Sequence, residues 1–134
     1  MSHRILVVDD ETHILQVLSL KLRNSGFEVS TAVDGEDALR QAIENPPDLV
    51  ITDIQMPYMN GIELCNALFE NETTTHIPVV VITARGHTLA ASETDIANVQ
   101  EVISKPFSPR GVAELAISIL ANISTQRSER PEAA

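Results

Sequence analysis

Arg4-Ile5-Leu6-Val7-Val8-Asp9-Asp10 is the stretch that decides the architecture: an unbroken aliphatic run that closes on two aspartates. A short continuous apolar run of this kind reads as a strand buried on both faces. Directly after it, Glu11–Arg23 sets Ile14, Leu15, Leu18 and Leu22 on one helical face. Lys21 and Arg23 fall near the end of that helix, where cations suit the helix dipole. Asn24-Ser25-Gly26 then stops it. A buried strand followed at once by an amphipathic helix is half of a β–α–β unit.

The same alternation continues outward. Phe27–Thr31 has the period-2 pattern of a strand with one face more solvated than the other. Asp34 is placed to cap a helix whose apolar stripe is Ala38, Leu39, Ala42 and Ile43, ended by Asn45-Pro46-Pro47. Leu49–Thr52 is a second buried strand and again delivers an aspartate, Asp53. After Asn60-Gly61, Ile62–Phe69 places Leu64, Cys65 and Leu68 on one helical face. Pro78–Ile82 is the most hydrophobic, β-branched stretch and belongs at a sheet centre. Leu89–Ala97 carries a weak helical pattern, and Glu101–Ser104 is a short strand. Ser108-Pro109 starts a last helix, a capping side chain followed by proline at the first helical position. Val112–Ile123 is then apolar around much of its circumference. Five β–α units joined by short helical crossovers predict an α/β fold, a parallel sheet between two helical layers. Residues 1–123 form that domain, and the polar residues 124–134 are expected to be a disordered tail.

Composition agrees and excludes several classes. At 134 residues the chain suits one domain, and 43% apolar residues can fill a core that 3% aromatics leave aliphatic. Cys65 is the only cysteine, so no internal disulfide or cysteine-based zinc cluster is available. The longest apolar runs, Ile5–Val8 and Val79–Ile82, are far short of the roughly 18 residues a membrane span needs. Asp9 and Asp10 interrupt any signal-peptide core, so the expected location is the cytoplasm. The formal net charge of −10 disfavours nucleic-acid binding by this domain. Between Asn24 and Ala84 Arg40 is the only basic residue against ten acids, which by default is a solvated surface.

Some of those acids are placed differently. In open parallel sheets the ligand site lies beyond the carboxyl ends of the strands, where strand order reverses. Asp9 and Asp10 end the first strand, Asp53 the third and Thr83 the fourth, while Lys105 follows the fifth. Carboxylates about 4 Å apart repel by about 4 kcal/mol per pair at an effective dielectric of 20. They coexist only with a cation or a retained proton. An all-oxygen donor set suits a hard cation, with Mg²⁺ the first choice. Lys105 adds a point charge suited to a phosphoryl group and Thr83 a hydroxyl donor. This is a phosphoryl-transfer constellation in which a carboxylate can be the nucleophile.

Four stretches carry a resemblance: Ile5-Leu6-Val7-Val8-Asp9-Asp10-Glu11, Asp53-Ile54-Gln55-Met56-Pro57-Tyr58-Met59-Asn60-Gly61, Val81-Ile82-Thr83-Ala84 and Lys105-Pro106-Phe107. From about Arg4 to Ile123 the chain resembles the receiver domain of bacterial two-component response regulators. The resemblance implies a three-layer, flavodoxin-like and CheY-like fold with strand order 2-1-3-4-5. It implies that Asp53 accepts a phosphoryl group from a histidine kinase or histidine phosphotransfer protein. Asp10 would bind Mg²⁺ directly and Asp9 through water, with Asp53 and the backbone carbonyl of Gln55 as further ligands. Thr83 and Lys105 would contact the phosphoryl oxygens, and the Lys105–Pro106 bond would be cis. Met56-Pro57 and Gly61 would shape the turn beneath Asp53. Such a domain is a signalling phospho-acceptor, catalysing only its own phosphorylation and dephosphorylation, and its downstream partner is unknown.

Asp10 is also expected to cap the first helix. His3, His13, His76 and His87 are scattered and read as surface or loop residues, and Cys65 as a small buried hydrophobe. The family usually has an aromatic residue three positions before the lysine, where this chain has Val102, and a Gly-Ala pair where it has Ile96-Ala97-Asn98-Val99. Gln55 and Arg85, two past Asp53 and Thr83, are positions that in this family influence how fast the phosphoryl group is lost. The apolar last helix reads first as over-coverage of the sheet and second as a homodimer or partner surface. Val102 keeps alive a pseudo-receiver, an interaction module that ignores phosphorylation. An aspartate phosphatase is disfavoured, because the residue two past Asp53 is Gln55 rather than an acid, and only re-assigning the nucleophile to Asp9, with Glu11 two residues on, would serve. The region after Ile123 is too short for an output domain, so a stand-alone receiver and a part of a larger regulator are both open.

Overall fold

The computed structural model describes residues 3–56, 58–83 and 98–129, with side chains as far as residue 123 in the last helix. The aliphatic runs form β1 (Arg4–Val8), β3 (Leu49–Asp53) and β4 (Val79–Thr83), and the two more polar ones form β2 (Glu28–Ala32) and β5 (Val99–Ser104). All pair in parallel, in the spatial order β2-β1-β3-β4-β5. β3 and β4 are buried along their whole length, whereas the edge strands β2 and β5 are exposed or half-exposed at all but one position, Ala32. The stretch at Pro78–Ile82 is thus interior, one place from the central strand β3. Among the described residues the helices are α1 (Thr12–Asn24), α2 (Gly35–Glu44), α3 (Gly61–Glu70) and α4 (Pro109–Glu129). The helix expected over Leu89–Ala97, together with Arg85 and His87, lies outside the described residues.

Alternate side chains of each strand point to opposite faces, and the core is accordingly double. Ile5, Val7, Leu49, Ile51, Val80 and Ile82 pack on α1 and α4. Leu6, Val8, Val50, Val79 and Val81 pack on α2 and α3. Within α4, Val112, Ala113, Ala116, Ile119 and Leu120 are buried in the first of these layers and Leu115 and Ile123 pack against it. Most of the apolar excess of that helix is therefore sheet coverage, with Ile117, 48% exposed, left outside.

Helix boundaries follow local chemistry. Asp34 accepts the N–H of Asp37 and caps α2. Asn60 and Glu63 form a reciprocal capping box on α3. The Ser108 hydroxyl accepts the N–H of Gly111 at the start of α4. Gly26 ends α1 at φ +100°, a conformation costly for any residue with a Cβ.

Three expectations are corrected. β2 begins one residue later than Phe27, because the Phe27 N–H still bonds to Leu22 at the end of α1. α4 runs to Glu129, so residues 124–129 have helical backbone rather than belonging to a disordered tail. Asp10 caps nothing: the first position before α1 is Glu11, which makes no side-chain cap, and its N–H is taken by Asp9.

Candidate phosphoryl-transfer site

Strand order reverses between β1 and β3; β3 ends there in Asp53 and β1 runs directly into Asp9. Asp9 follows β1 and its N–H bonds the carbonyl of Ala32 in the neighbouring β2. Asp53 is the last residue of β3, opposite Ile82, and the Ile54 N–H bonds the Ile82 carbonyl. These backbone links bring Asp9, Asp10 and Asp53 together, with one carboxylate oxygen from each lying within 4.8 Å of the others. Asp9 and Asp53 are only 2% and 4% exposed, whereas Asp10 faces solvent.

The basic partner arrives from the neighbouring strand. Thr83, buried at the end of β4, pairs with Ser104, and its carbonyl accepts the Lys105 N–H at 2.8 Å. The Lys105 Nζ stands 3.5 Å from Asp53 Oδ1, and the Lys105–Pro106 peptide is cis. The five groups Asp9, Asp10, Asp53, Thr83 and Lys105 therefore share one sheet edge. Gln55 lies just past Asp53 and is exposed. His3 is half-exposed and His13 and His76 are exposed, none of them in the carboxylate cluster, and Cys65 is buried in the second core.

Electrostatics make the carboxylates a candidate cation site. Burial is the largest influence on Asp9 and pushes its carboxyl up to about 6; the Glu11 N–H opposes this and the nearby Asp53 adds to it. Asp53 is also raised by burial, opposed by Lys105. One ammonium does not neutralise three acids, and the oxygen-only donor set fits a hard divalent ion with room for water. Cys65 is pushed up to about 12 by burial and offers no reactive thiolate.

Gly61 closes the turn after Asp53. A Cβ at this position would lie 2.3 Å from the Asp53 carbonyl oxygen, and the Gly61 N–H bonds the Ile54 carbonyl. Only glycine allows helix α3 to start this close to the strand end. The Asn60–Glu63 box that fixes this helix start is a purely local signal, N-x-x-E in the sequence. A shallow apolar groove of about 490 Å³, lined by His13, Ile14, Val17, Lys105, Pro106, Phe107 and Pro109, opens beside the lysine.

Comparison with known proteins decides the family. The family model for the response regulator receiver domain matches residues 5–116. The chain belongs to the response regulator receiver domain family. It is 37% identical over 120 residues to the alkaline phosphatase synthesis transcriptional regulatory protein PhoP of Bacillus subtilis, covering 90% of this chain and 49% of that one. The receiver thus spans about half the length of that relative. The chemotaxis protein CheY4 of Vibrio cholerae superimposes with a TM-score of 0.82 at 28% identity, over 89% of this chain and 99% of that one. The receiver domain of the sensor histidine kinase PA1611 of Pseudomonas aeruginosa, solved with magnesium in its active-site cleft, gives a TM-score of 0.80 over 90% and 99% of the two chains. At 21% identity that likeness speaks for the fold alone. Among the described residues no helix of this receiver is long and apolar enough to cross a membrane.

Proposed function

We propose that this receiver accepts a phosphoryl group on Asp53 from a phosphohistidine of a histidine kinase or phosphotransfer protein, in a Mg²⁺-dependent reaction in the cytoplasm. The observation that carries the reading is the convergence of three carboxylates within 4.8 Å, with Lys105 at 3.5 Å from one of them. In the transfer an Asp53 carboxylate oxygen forms a bond to phosphorus as the phosphorus–nitrogen bond of the donor breaks. The departing imidazole nitrogen keeps the electron pair and takes a proton from solvent. Asp9, Asp10, Asp53 and the Gln55 carbonyl would hold the Mg²⁺, which when bound supplies positive charge to the phosphoryl oxygens. Lys105 pairs with a phosphoryl oxygen in place of its present contact to Asp53, and Thr83 donates its hydroxyl to another. The buried position of Asp53 limits the access of bulk water to the acyl phosphate, while the exposed Asp10 and Gln55 beside it leave the edge open to a donor. The apolar groove beside Lys105 gives that donor a surface to rest on.

The chain in this reading modifies only itself and does not turn over an external substrate. Its output is the conformational difference between the free and phosphorylated forms, delivered to a partner or an attached domain. A second reading, an interaction module indifferent to phosphorylation, draws on Val102: an aliphatic side chain packed beside the second core stands where the family usually has an aromatic ring. Incubation with acetyl phosphate and Mg²⁺ separates them. The receiver gains a phosphate-sized mass that is absent without Mg²⁺ and absent in Asp53→Asn. Mg²⁺ binding with no adduct at any time favours the interaction module, and continuous release of phosphate from monoesters would instead mark a phosphatase.

A further inference from the structure

We propose that Gly35, at the start of α2, is a positioning residue for the phosphoryl site and acts through Met59. A Cβ at Gly35 would lie 2.7 Å from Met59 Cγ, 2.8 Å from its Cβ and 2.8 Å from its carbonyl oxygen. Such distances are shorter than packed atoms tolerate. Two of these three atoms belong to the Met59 backbone or its first side-chain carbon, so a flexible side-chain tip cannot relieve the contact by turning away. Gly35 cannot yield either, because the Asp34 carboxylate clamps this helix start through the Asp37 N–H at 2.8 Å.

The chain leaving Asp53 is consequently pressed at two points. Its stem meets Gly61, where a Cβ would lie 2.3 Å from the Asp53 carbonyl oxygen, and its far side meets Gly35. Between the two stand Gln55 and Tyr58. Tyr58 is 89% exposed, yet holds φ at +67°, a left-handed conformation unfavourable for a residue with a Cβ. An exposed side chain supplies little to maintain it, so the seat of Met59 on Gly35 holds that backbone together with the Gly61 N–H bond to the Ile54 carbonyl and the Asn60–Glu63 box. Gly35 thereby sets where the Gln55 carbonyl stands relative to the carboxylates. The inference rests on the proposed reading of Asp53 and its ligands, and goes beyond it by tying the start of α2 to metal affinity.

The test compares the full chain with Gly35→Ala, Gly111→Ala, Met59→Ala and Met59→Leu. Circular dichroism monitors folding, calorimetry gives the Mg²⁺ Kd, and tyrosine emission gives a local signal, since Tyr58 is the single tyrosine and there is no tryptophan. Gly111 also lies in the first turn of a helix, but a Cβ there meets nothing closer than 3.6 Å, so its variant controls for the exchange itself. Gly35→Ala is expected to fold, to weaken Mg²⁺ binding at least fivefold and to alter Tyr58 emission, while Gly111→Ala stays within twofold of the parent. Met59→Ala keeps the Cβ and carbonyl contacts and loses only Cγ, so it should weaken binding by a smaller factor than Gly35→Ala, and Met59→Leu, which keeps a Cγ, should stay within twofold of the parent. A Gly35→Ala protein that binds Mg²⁺ within twofold of the parent overturns the inference. If that variant does not fold, the Met59 pair decides, and equal affinity for Met59→Ala and the parent overturns it. A parent that neither binds Mg²⁺ nor takes a phosphoryl group would instead remove the functional reading itself.

Discussion

At the scale of single residues, Asp9 shows what the site costs in the absence of a cation. Its carboxyl holds a proton up to about 6, whereas an unstructured aspartate loses it near 3.8. Between those values the folded form binds more protons than the unfolded one, so stability falls as pH rises through that window. Asp53 is shifted in the same direction and adds to the trend. Denaturant melts without Mg²⁺ should therefore show lower stability at pH 7 than at pH 4.5, to the extent that these two groups govern it. Asp9→Asn keeps an oxygen for the Glu11 N–H and removes the charge. It should raise stability at pH 7.5 by about 1–3 kcal/mol and lose the added stabilisation by Mg²⁺. A melt in which Asp9→Asn is less stable than the parent at pH 7.5 would contradict this. Because a proton and the metal compete for the same carboxylate, the Mg²⁺ Kd of the parent should tighten as pH rises through about 6, and a flat titration profile between pH 5 and 8 would count against it.

At the scale of elements, the strand-to-helix turns carry the geometry. Gly61→Ala would drive a Cβ to 2.3 Å from the Asp53 carbonyl, and urea unfolding should show a loss of about 1–3 kcal/mol or more. Asp34→Ala removes only a helix cap and should cost about 1 kcal/mol. If the two variants lose equal stability, the tight approach at Gly61 is not what it looks like on distance alone. These elements also show what the amino-acid sequence reveals by itself. The aspartates at the ends of β1 and β3 were legible because aliphatic runs announce buried strands, and strand ends in a parallel sheet share an edge. The helix start at Pro109 was legible from Ser108-Pro109, a purely local signal. Asp10 was misread as a cap, since adjacent aspartates offer the same chemistry and only the backbone path assigns the Glu11 N–H to Asp9. The seat of Met59 on Gly35 joins residues distant in the chain, and no local pattern encodes it.

At the scale of the whole molecule, a formal charge of −10 on 134 residues is a self-repelling surface, concentrated between Asn24 and Ala84. Screening should raise the melting temperature as monovalent salt increases. Mg²⁺ at matched ionic strength should raise it further in the parent, and no further than NaCl in Asp53→Asn/Asp9→Asn. If NaCl and Mg²⁺ stabilise the parent equally, the cation acts on the surface at large and not at one edge. The two-layered core frames this result. Asp53 ends the central strand β3, whose residues Leu49 and Ile51 pack toward α1 and α4 and whose Val50 packs toward α2 and α3. Chemistry at that strand end is thus in mechanical contact with both helical layers.

The single backbone bond from the Lys105 N–H to the Thr83 carbonyl has a further consequence. It ties the backbone of the residue that carries the cation to the backbone of the residue that carries the hydroxyl, at the paired ends of β4 and β5. On the proposed reading, the seam between these strands gives an added charge on Asp53 a backbone route to the edge strand of the sheet that needs no aromatic ring at position 102.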